Sequence, residues 1–374
     1  MTADRPETFR TWVDGSDPLA RLPKASLHDH LDGSLQPATI IEIARAVGAE
    51  LPTEDPDVLE AWFQRRPTSI PPLTDWRVMF ALTTAVMQRA EDLRRIARDY
   101  VHLLAADGVV YAETRWAPEQ HVFGGLSMDA AVAAVAEGLA EGVDDVRAGG
   151  HEVAVYQVLS IMRHARNGVE IAELAARTAD LGVVGIDLAG MEIGNPASEH
   201  ADAYRRAAEL GVHRTVHAAE MVGAESLRDA LDSCEPERIG HGTRVAEDIA
   251  IDGRELPVAE LVAAWRAGGQ VDPGPLATAV AERGLVLEQC VSSNTGPMAI
   301  VAELDQHPID VLRAAGIAVS VNPDNRMISG VSITGEYRIL ADRFGWGEAD
   351  FAAAFDAALR SGFGPSDVRE RLRG

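Results

Sequence analysis

The chain has 374 residues, of which 47% are hydrophobic, and a formal net charge of -24 at pH 7. The length allows one large barrel or two smaller domains. The charge disfavours nucleic acid and acidic membranes as partners, and no apolar run reaches the roughly 18 residues of a membrane-spanning helix. Two cysteines, Cys234 and Cys290, are too few for a disulfide framework, so we interpret them as buried thiols of a cytoplasmic protein.

Short apolar runs rich in β-branched residues recur along the chain and predict eight strands. They cover residues 28–31, 109–116, 153–159, 183–188, 214–218, 238–240, 285–291 and 317–321. Amphipathic segments such as 128–148 and 258–267 lie between them and predict helices. Alternating strands and helices imply a parallel sheet, and eight units predict a single (β/α)8 TIM barrel domain over residues 1–374. A doubly wound open sheet is the alternative, although no glycine-rich phosphate-binding loop follows the first strand.

Residues 49–76 form an insertion after the first unit, and it is rich in proline and acidic residues. The insertion leads into apolar residues at helical spacing, among them Trp76, Met79 and Phe80. This pattern fits an ordinary core helix. It fits equally well an extra helix that covers the barrel mouth as an apolar lid.

Polar side chains recur where the predicted strands end, which is where barrel enzymes carry their catalytic groups. These residues are His28 and His30 on the first strand, His217 and Glu220 after the fifth, His241 after the sixth, and Asp324 with Asn325 after the eighth. Any one of them could be a satisfied core residue or a helix cap. Four such groups at corresponding strand ends indicate a functional site instead.

A mononuclear metal centre is the physical interpretation of this arrangement. His28 and His30 share one face of their strand, since residues two apart point the same way. With His217 and Asp324 they offer three nitrogens and one oxygen, which suits one zinc ion and a water molecule. Zinc would lower the pKa of that water and supply hydroxide near neutral pH.

The remaining polar residues suit proton transfer. Glu220 follows a candidate ligand by three residues and can give or take a proton, while His241 could orient or deprotonate the water. A two-metal site bridged by a carboxylated lysine is excluded, because the only lysine, Lys24, precedes the first strand. A binuclear site bridged by a carboxylate stays open.

On these motifs the chain resembles the adenosine deaminase family of zinc hydrolases. The segments that carry the resemblance lie at residues 22–35, 110–115, 187–190, 217–220, 238–242 and 322–325. The resemblance implies deamination of a purine ring, in which hydroxide attacks the amino-bearing carbon and ammonia leaves. It implies one zinc ion per chain, held by the four residues named above, and a small purine nucleoside as substrate.

The resemblance also implies individual roles. Glu220 matches the residue that protonates the ring nitrogen beside the attacked carbon, and His241 matches the histidine that positions the hydroxide. Gly190 matches a glycine whose backbone contacts the purine, and Asp32 matches an acid that accepts a hydrogen bond from a ribose hydroxyl. Family members that act on the free base tend to carry glutamate there, so Asp32 favours a nucleoside. Trp76 and Phe80 belong to the predicted apolar lid over the purine.

Three departures from the family pattern bear on the substrate. Ala219 stands where a glycine is usual and could narrow the purine slot. Asn325 replaces a second aspartate that contacts a ring nitrogen, and its amide can donate a hydrogen bond at any pH. Val291 replaces a proline in the loop 291–297 at the barrel mouth. A different or modified aminopurine nucleoside is therefore an alternative substrate, and a non-catalytic nucleoside-binding barrel is a third hypothesis.

Overall fold

The computed structural model describes residues 17–64, 73–296 and 299–373. At its centre, eight parallel strands form one sheet in the order β1-β2-β3-β4-β5-β6-β10-β11. These strands are β1 (Lys24–His30), β2 (Val109–Trp116), β3 (Ala154–Met162), β4 (Val183–Ala189), β5 (His213–Ala218), β6 (Arg238–His241), β10 (Val286–Gln289) and β11 (Ala318–Val321). A parallel bridge between Asp29 and Asp324 brings the last strand against the first, so the strands form a barrel.

Helices surround the barrel and connect its strands. Those in the described residues are α1 (Pro37–Val47), α2 (Pro56–Phe63), α3 (Leu73–Ala85), α4 (Ala90–Ala106), α5 (Met128–Ala148), α6 (Gly168–Arg177), α7 (Ala201–Glu209), α8 (Ala224–Ser233), α9 (Val258–Arg266), α10 (Pro275–Glu282), α11 (Ile309–Ala314), α12 (Ile333–Phe344), α13 (Glu348–Ser361) and α14 (Ser366–Arg373). None of the helices that the structure describes is both long and apolar enough to cross a membrane.

The predicted barrel is confirmed, with all eight strands found near their predicted positions. The main error in their bounds is at β1, which begins at Lys24 rather than residue 28 and ends before Leu31. Every residue of β1 is buried, including the polar ones, so polarity did not mark where this strand begins. The prediction started at the His-Asp-His motif, which is the part of the strand closest to the barrel mouth.

A second, antiparallel sheet between β6 and α10 was not predicted. It contains β7 (Ile249–Ile251), β8 (Arg254–Glu255) and β9 (Val271–Pro273) in the order β8-β7-β9. The turn between β7 and β8 is Asp252-Gly253, with φ values of 51° and 71°. Asp-Gly with two positive φ angles is a preferred two-residue hairpin turn, so the sequence did contain a signal for this sheet.

The helices that follow β1 lie at the mouth of the barrel. Helix α2 contacts residues 326–330 after β11, and α3 contacts the turns that follow β1 and β2. On α3, Met79 is buried and Phe80 is half-buried. Residues 65–72 and the side chain of Trp76 lie outside the described residues. The observed position of α3 is the one that a lid requires, and its function as a lid stays a prediction.

A buried ion network fixes the turn that follows β11. The Arg326 guanidinium donates from Nε to Asp29 Oδ2 and from Nη1 to Asp107 Oδ2, both at 2.7 Å. Asp107 also accepts hydrogen bonds from the backbone N–H groups of Ile333 and Thr334, at the start of α12. One arginine therefore joins β1, the loop before β2 and α12 beneath the barrel mouth.

We expect Arg326→Met to reduce the free energy of unfolding by about 3–5 kcal/mol, because the change leaves two buried carboxylates without their counter-charge. Urea unfolding followed by circular dichroism measures the loss. Arg338→Met, which breaks the partly exposed pair between Arg338 and Asp17, is the matched control and should cost less than about 1 kcal/mol. Equal losses in the two variants would contradict the account.

Candidate active site

Three histidine rings meet at the carboxyl ends of β1 and β5. The ligand nitrogens of His28, His30 and His217 lie within 4.8 Å of one another. His30 Nε2 is 3.2 Å from His217 Nε2. Asp324 Oδ1 lies 3.4 Å from His28 Nε2 and 3.5 Å from His30 Nε2. The structure thus brings the four predicted metal ligands into one buried cluster.

The chemistry of this cluster fits a bound cation. His28 Nε2 is buried and has no hydrogen-bond partner among the described residues. Burial lowers the pKa of His30 to about 3 and also lowers the pKa of His217, so both rings are neutral, as ligands must be. Burial lowers the pKa of His28 as well, but the carboxylates of Asp324 and Glu288 outweigh it and leave that pKa raised. A metal ligand must be neutral, so a bound metal ion would displace any proton from His28 Nε2.

Two carboxylates beneath the cluster orient the rings. His28 Nδ1 is 2.9 Å from Glu288 Oε2, and His217 Nδ1 is 3.0 Å from Asp187 Oδ1. Arg115 lies between these carboxylates, with Nη2 2.6 Å from Glu288 Oε2 and Nη1 3.3 Å from Asp187 Oδ2. Because Nδ1 of each ring faces a carboxylate, Nε2 faces the shared space. A carboxylate behind a histidine ligand commonly fixes its tautomer in this way.

The same neighbours keep both carboxylates charged. Burial alone would raise the pKa of Asp187, but its contact with His217 and the charge of Arg115 hold it well below its usual range. Burial would likewise raise the pKa of Glu288, which Arg115 and Arg238 hold far below its usual value. Each is therefore an acceptor for a histidine N–H near neutral pH.

Glu220 and His241 lie beside the cluster. His241 Nε2 is 3.7 Å from Glu220 Oε1, and the ring centroids of His241 and His28 are 4.5 Å apart. Asn294 Nδ2 lies 3.1 Å from His241 Nδ1 and orients that ring. Burial raises the pKa of Glu220 well above its usual value, and the nearby charge of Asp324 adds to the shift. Glu220 is half-buried, and its raised pKa favours the protonated form that can donate a proton.

The described substrate residues of the prediction follow β1, β4 and β11 or lie on α3, at the same end of the barrel as the cluster. Asp32 is buried, and its Oδ1 atom has no hydrogen-bond partner among the described residues. The Asn325 amide donates from Nδ2 to Asp324 Oδ1 at 2.7 Å. Gly190 directly follows β4 and has φ at 95°, a conformation that favours glycine. Phe80 is on α3, which contacts the turn that contains Asp32.

The structure also contains functional neighbours that our sequence analysis missed. Asp187, Glu288 and Arg115 are fully buried charged residues inside parallel strands. Such residues are rarely buried unless they are paired, so their occurrence in apolar strands was a usable signal. Ser293 Oγ donates to Asp324 Oδ2 at 2.6 Å, which fixes the second oxygen of that carboxylate. The partners of each charge depend on strand register, which the sequence alone does not reveal.

The structure provides a backbone explanation for one departure from the family pattern. Ala219 has φ at 52°, in the left-handed region that glycine adopts easily, and its side chain belongs to the buried hydrophobic core. Val291 is also fully buried. Pro297, at the end of the altered loop, lies outside the described residues. The effect of either departure on the purine slot stays a prediction.

Comparison with known proteins identifies the family. The family model for adenosine deaminase matches residues 23–374. The adenosine deaminase of Mycobacterium leprae is 41% identical over 352 residues, which cover 94% of this chain and 93% of that protein. The chain belongs to the adenosine deaminase family. As a member of this family it is a hydrolytic deaminase, and its histidine cluster is a site that can hold a metal ion.

Solved structures of family relatives share its fold. The adenine deaminase of Arthrobacter aurescens superposes with a TM-score of 0.76 at 26% identity, covering 94% of this chain and 97% of that chain. The Arabidopsis N6-mAMP deaminase also gives a TM-score of 0.76 at 26% identity, with 95% of this chain and 97% of that chain covered. The names of these relatives thus refer to three kinds of substrate: a nucleoside, a free base and a nucleotide.

We expect Asp187→Asn to weaken metal binding by about 10- to 100-fold, because the amide no longer fixes the tautomer and orientation of His217. Competition with a fluorescent chelator measures the affinity. Asp180→Asn, a change outside this cluster, is the control and should bind metal as the unchanged protein does. Unaltered affinity in Asp187→Asn would show that this carboxylate does not support the ligand.

Proposed function

We propose that this protein catalyses the zinc-dependent hydrolytic deamination of adenosine or a closely related 6-aminopurine nucleoside, giving the inosine-type product and ammonia. One observation carries the proposal: the nitrogen donors of His28, His30 and His217 and the carboxylate of Asp324 converge beside His241 and Glu220 in a member of the adenosine deaminase family. The two buried free thiols, Cys234 and Cys290, agree with the expected cytoplasmic location.

Zinc is the metal that best fits the donors. His28, His30, His217 and Asp324 supply three nitrogens and one oxygen, and zinc takes such ligands while keeping a position for water. When bound, zinc lowers the pKa of a coordinated water molecule toward neutrality. The protein holds the ligand rings in place from below, through Asp187 and Glu288.

Glu220 and His241 perform the proton transfers in this proposal. Glu220 donates its proton to the ring nitrogen beside the amino-bearing carbon, which draws electron density from that carbon and makes it more electrophilic. His241 lies 3.7 Å from Glu220 and next to the ligand rings, where it orients the attacking water. The surroundings of Glu220 support this role, because they raise the pKa of the carboxyl group, and a raised pKa favours the protonated form that can donate.

Asp32 favours a nucleoside over a free base. Its buried Oδ1 atom needs a donor, and a sugar hydroxyl provides one. A free base carries no sugar to occupy this position. Asn325 leaves a second candidate open, since its Oδ1 atom is also buried without a partner among the described residues, and a modified purine could supply a donor there.

The catalytic proposal predicts that a change at Glu220 abolishes activity without removing the metal ion. The unchanged protein should contain about one zinc ion per chain, as a closed ligand set implies, and release ammonia from adenosine. Glu220→Gln should retain the zinc and lose at least about 100-fold in kcat, because the amide cannot donate the catalytic proton. Elemental analysis and an ammonia assay measure the two quantities.

The exposed Glu225, five residues further along, provides the matched control: Glu225→Gln should change neither zinc content nor kcat. A zinc-loaded enzyme that releases no ammonia from adenosine or from any of a panel of aminopurine nucleosides would refute the proposed function. Activity on a modified nucleoside alone would favour the second candidate.

We propose further that α3 covers the purine as an apolar lid. Phe80→Ala should then raise KM more than it lowers kcat, because the change removes binding contacts and leaves the reacting groups in place. Steady-state kinetics with adenosine measure both values. Val78→Ala, at an exposed position on the same helix, is the control and should alter neither. A variant of Phe80 with lower kcat and unchanged KM would assign the helix to the core alone.

A further inference from the structure

Glu192 lies outside the metal cluster, in the loop that follows β4, and its side chain is buried. Its carboxylate accepts hydrogen bonds from four successive backbone N–H groups of the segment that follows β5. The donors are Ala219 N at 2.7 Å, Glu220 N at 3.2 Å, Met221 N at 2.6 Å and Val222 N at 2.8 Å. The hydroxyl of Ser226 donates to the same carboxylate. One side chain thus accepts five hydrogen bonds, four from the segment that contains Glu220 and one from α8.

This segment requires such support because of its backbone conformation. Ala219 has φ at 52°, which is unfavourable for a residue with a side chain and easy for glycine. Successive N–H groups that point to one side form a concave site for an anion, and a carboxylate binds there with charge-assisted hydrogen bonds. Glu192 therefore stabilises the conformation that alanine disfavours.

Two further hydrogen bonds hold the carbonyl groups of this stretch. Arg244 N–H donates to the Ala219 carbonyl at 2.9 Å, and Arg163 Nη2 donates to the His217 carbonyl at 2.6 Å. These bonds go to carbonyl groups at the start of the turn, whereas Glu192 is the acceptor, within the described part of the chain, for the backbone N–H of Glu220 itself. The Glu192 carboxylate therefore directly supports the backbone from which the Glu220 side chain extends.

We propose that Glu192 is a positioning residue for the reaction: it holds the left-handed turn at Ala219 so that the Glu220 carboxyl faces the reacting ring. The inference rests on the proposed role of Glu220 as the proton donor. Glu192 itself does not contact the substrate in this proposal. Its effect on the reaction passes through the backbone of residues 219–222.

Glu192→Gln is the direct test, because glutamine keeps the size of the side chain but replaces one acceptor oxygen with an N–H donor. We expect kcat to fall about 100-fold, as displacements of about 1 Å commonly cause. KM should change less than about threefold, and zinc content should stay the same. Amide hydrogen exchange of residues 219–222 should become faster, which is a readout independent of activity.

Ala219→Gly supplies the decisive comparison. Glycine adopts the positive φ without strain, so the turn needs less support from Glu192. Introducing Glu192→Gln into the Ala219→Gly protein should therefore reduce kcat by about tenfold or less, instead of about 100-fold. Equal reductions in the two backgrounds would overturn the proposal, as would full kcat in Glu192→Gln with faster amide exchange.

Two controls complete the design. Glu199→Gln changes an exposed glutamate that pairs with Arg166, and it should leave kcat and amide exchange unaltered. If Glu192→Gln fails to fold, Ser226→Ala is the alternative variant, because it removes one of the five hydrogen bonds to Glu192. It should speed amide exchange in residues 219–222 and lower kcat a few-fold. An unchanged exchange rate together with an unchanged kcat would overturn the proposal. Failure of the proposed function is recognised separately, since the unchanged enzyme would then release no ammonia.

Discussion

The site depends above all on the buried guanidinium of Arg115. It lies 2.6 Å from Glu288 and 3.3 Å from Asp187, and none of the three side chains has access to solvent. Two ionised carboxylates in a barrel interior would be too costly without a positive charge between them. Arg238 pairs with the other oxygen of Glu288 and with Glu113, which extends the alternation of charges toward the base of the barrel.

The consequence for chemistry is that the ligand rings are oriented before any metal binds. Asp187 and Glu288 each face Nδ1 of a ring, and the free Nε2 atoms of His28 and His217 point toward Asp324 and His30. These carboxylates come from strands far apart in the sequence. The ligand geometry is therefore a product of barrel closure, and the Asp29–Asp324 bridge that joins β11 to β1 is part of the same construction.

Most of the barrel could be predicted, because parallel strands buried on both faces appear as apolar β-branched runs. The polar residues at the strand ends could be recognised too, since their types and spacing are those of a metal hydrolase. The carboxylates behind the histidines were harder to predict, because their partners are set by strand register across the barrel. The contact between Glu192 and residues 219–222 depends on the shape of two loops, which no periodic pattern encodes.

Ala219 shows how the structure changes the meaning of a sequence departure. From the sequence, the added methyl group suggested a narrower purine slot. In the structure, the residue has φ at 52° and its methyl group packs in the hydrophobic core. An alanine in this conformation costs about 1–2 kcal/mol relative to an ordinary conformation. Its N–H donates to Glu192 and its carbonyl accepts from Arg244, and these bonds offset that cost. Alanine at position 219 therefore affects first how the backbone of the turn is held. Any influence on the substrate would act through the position of Glu220.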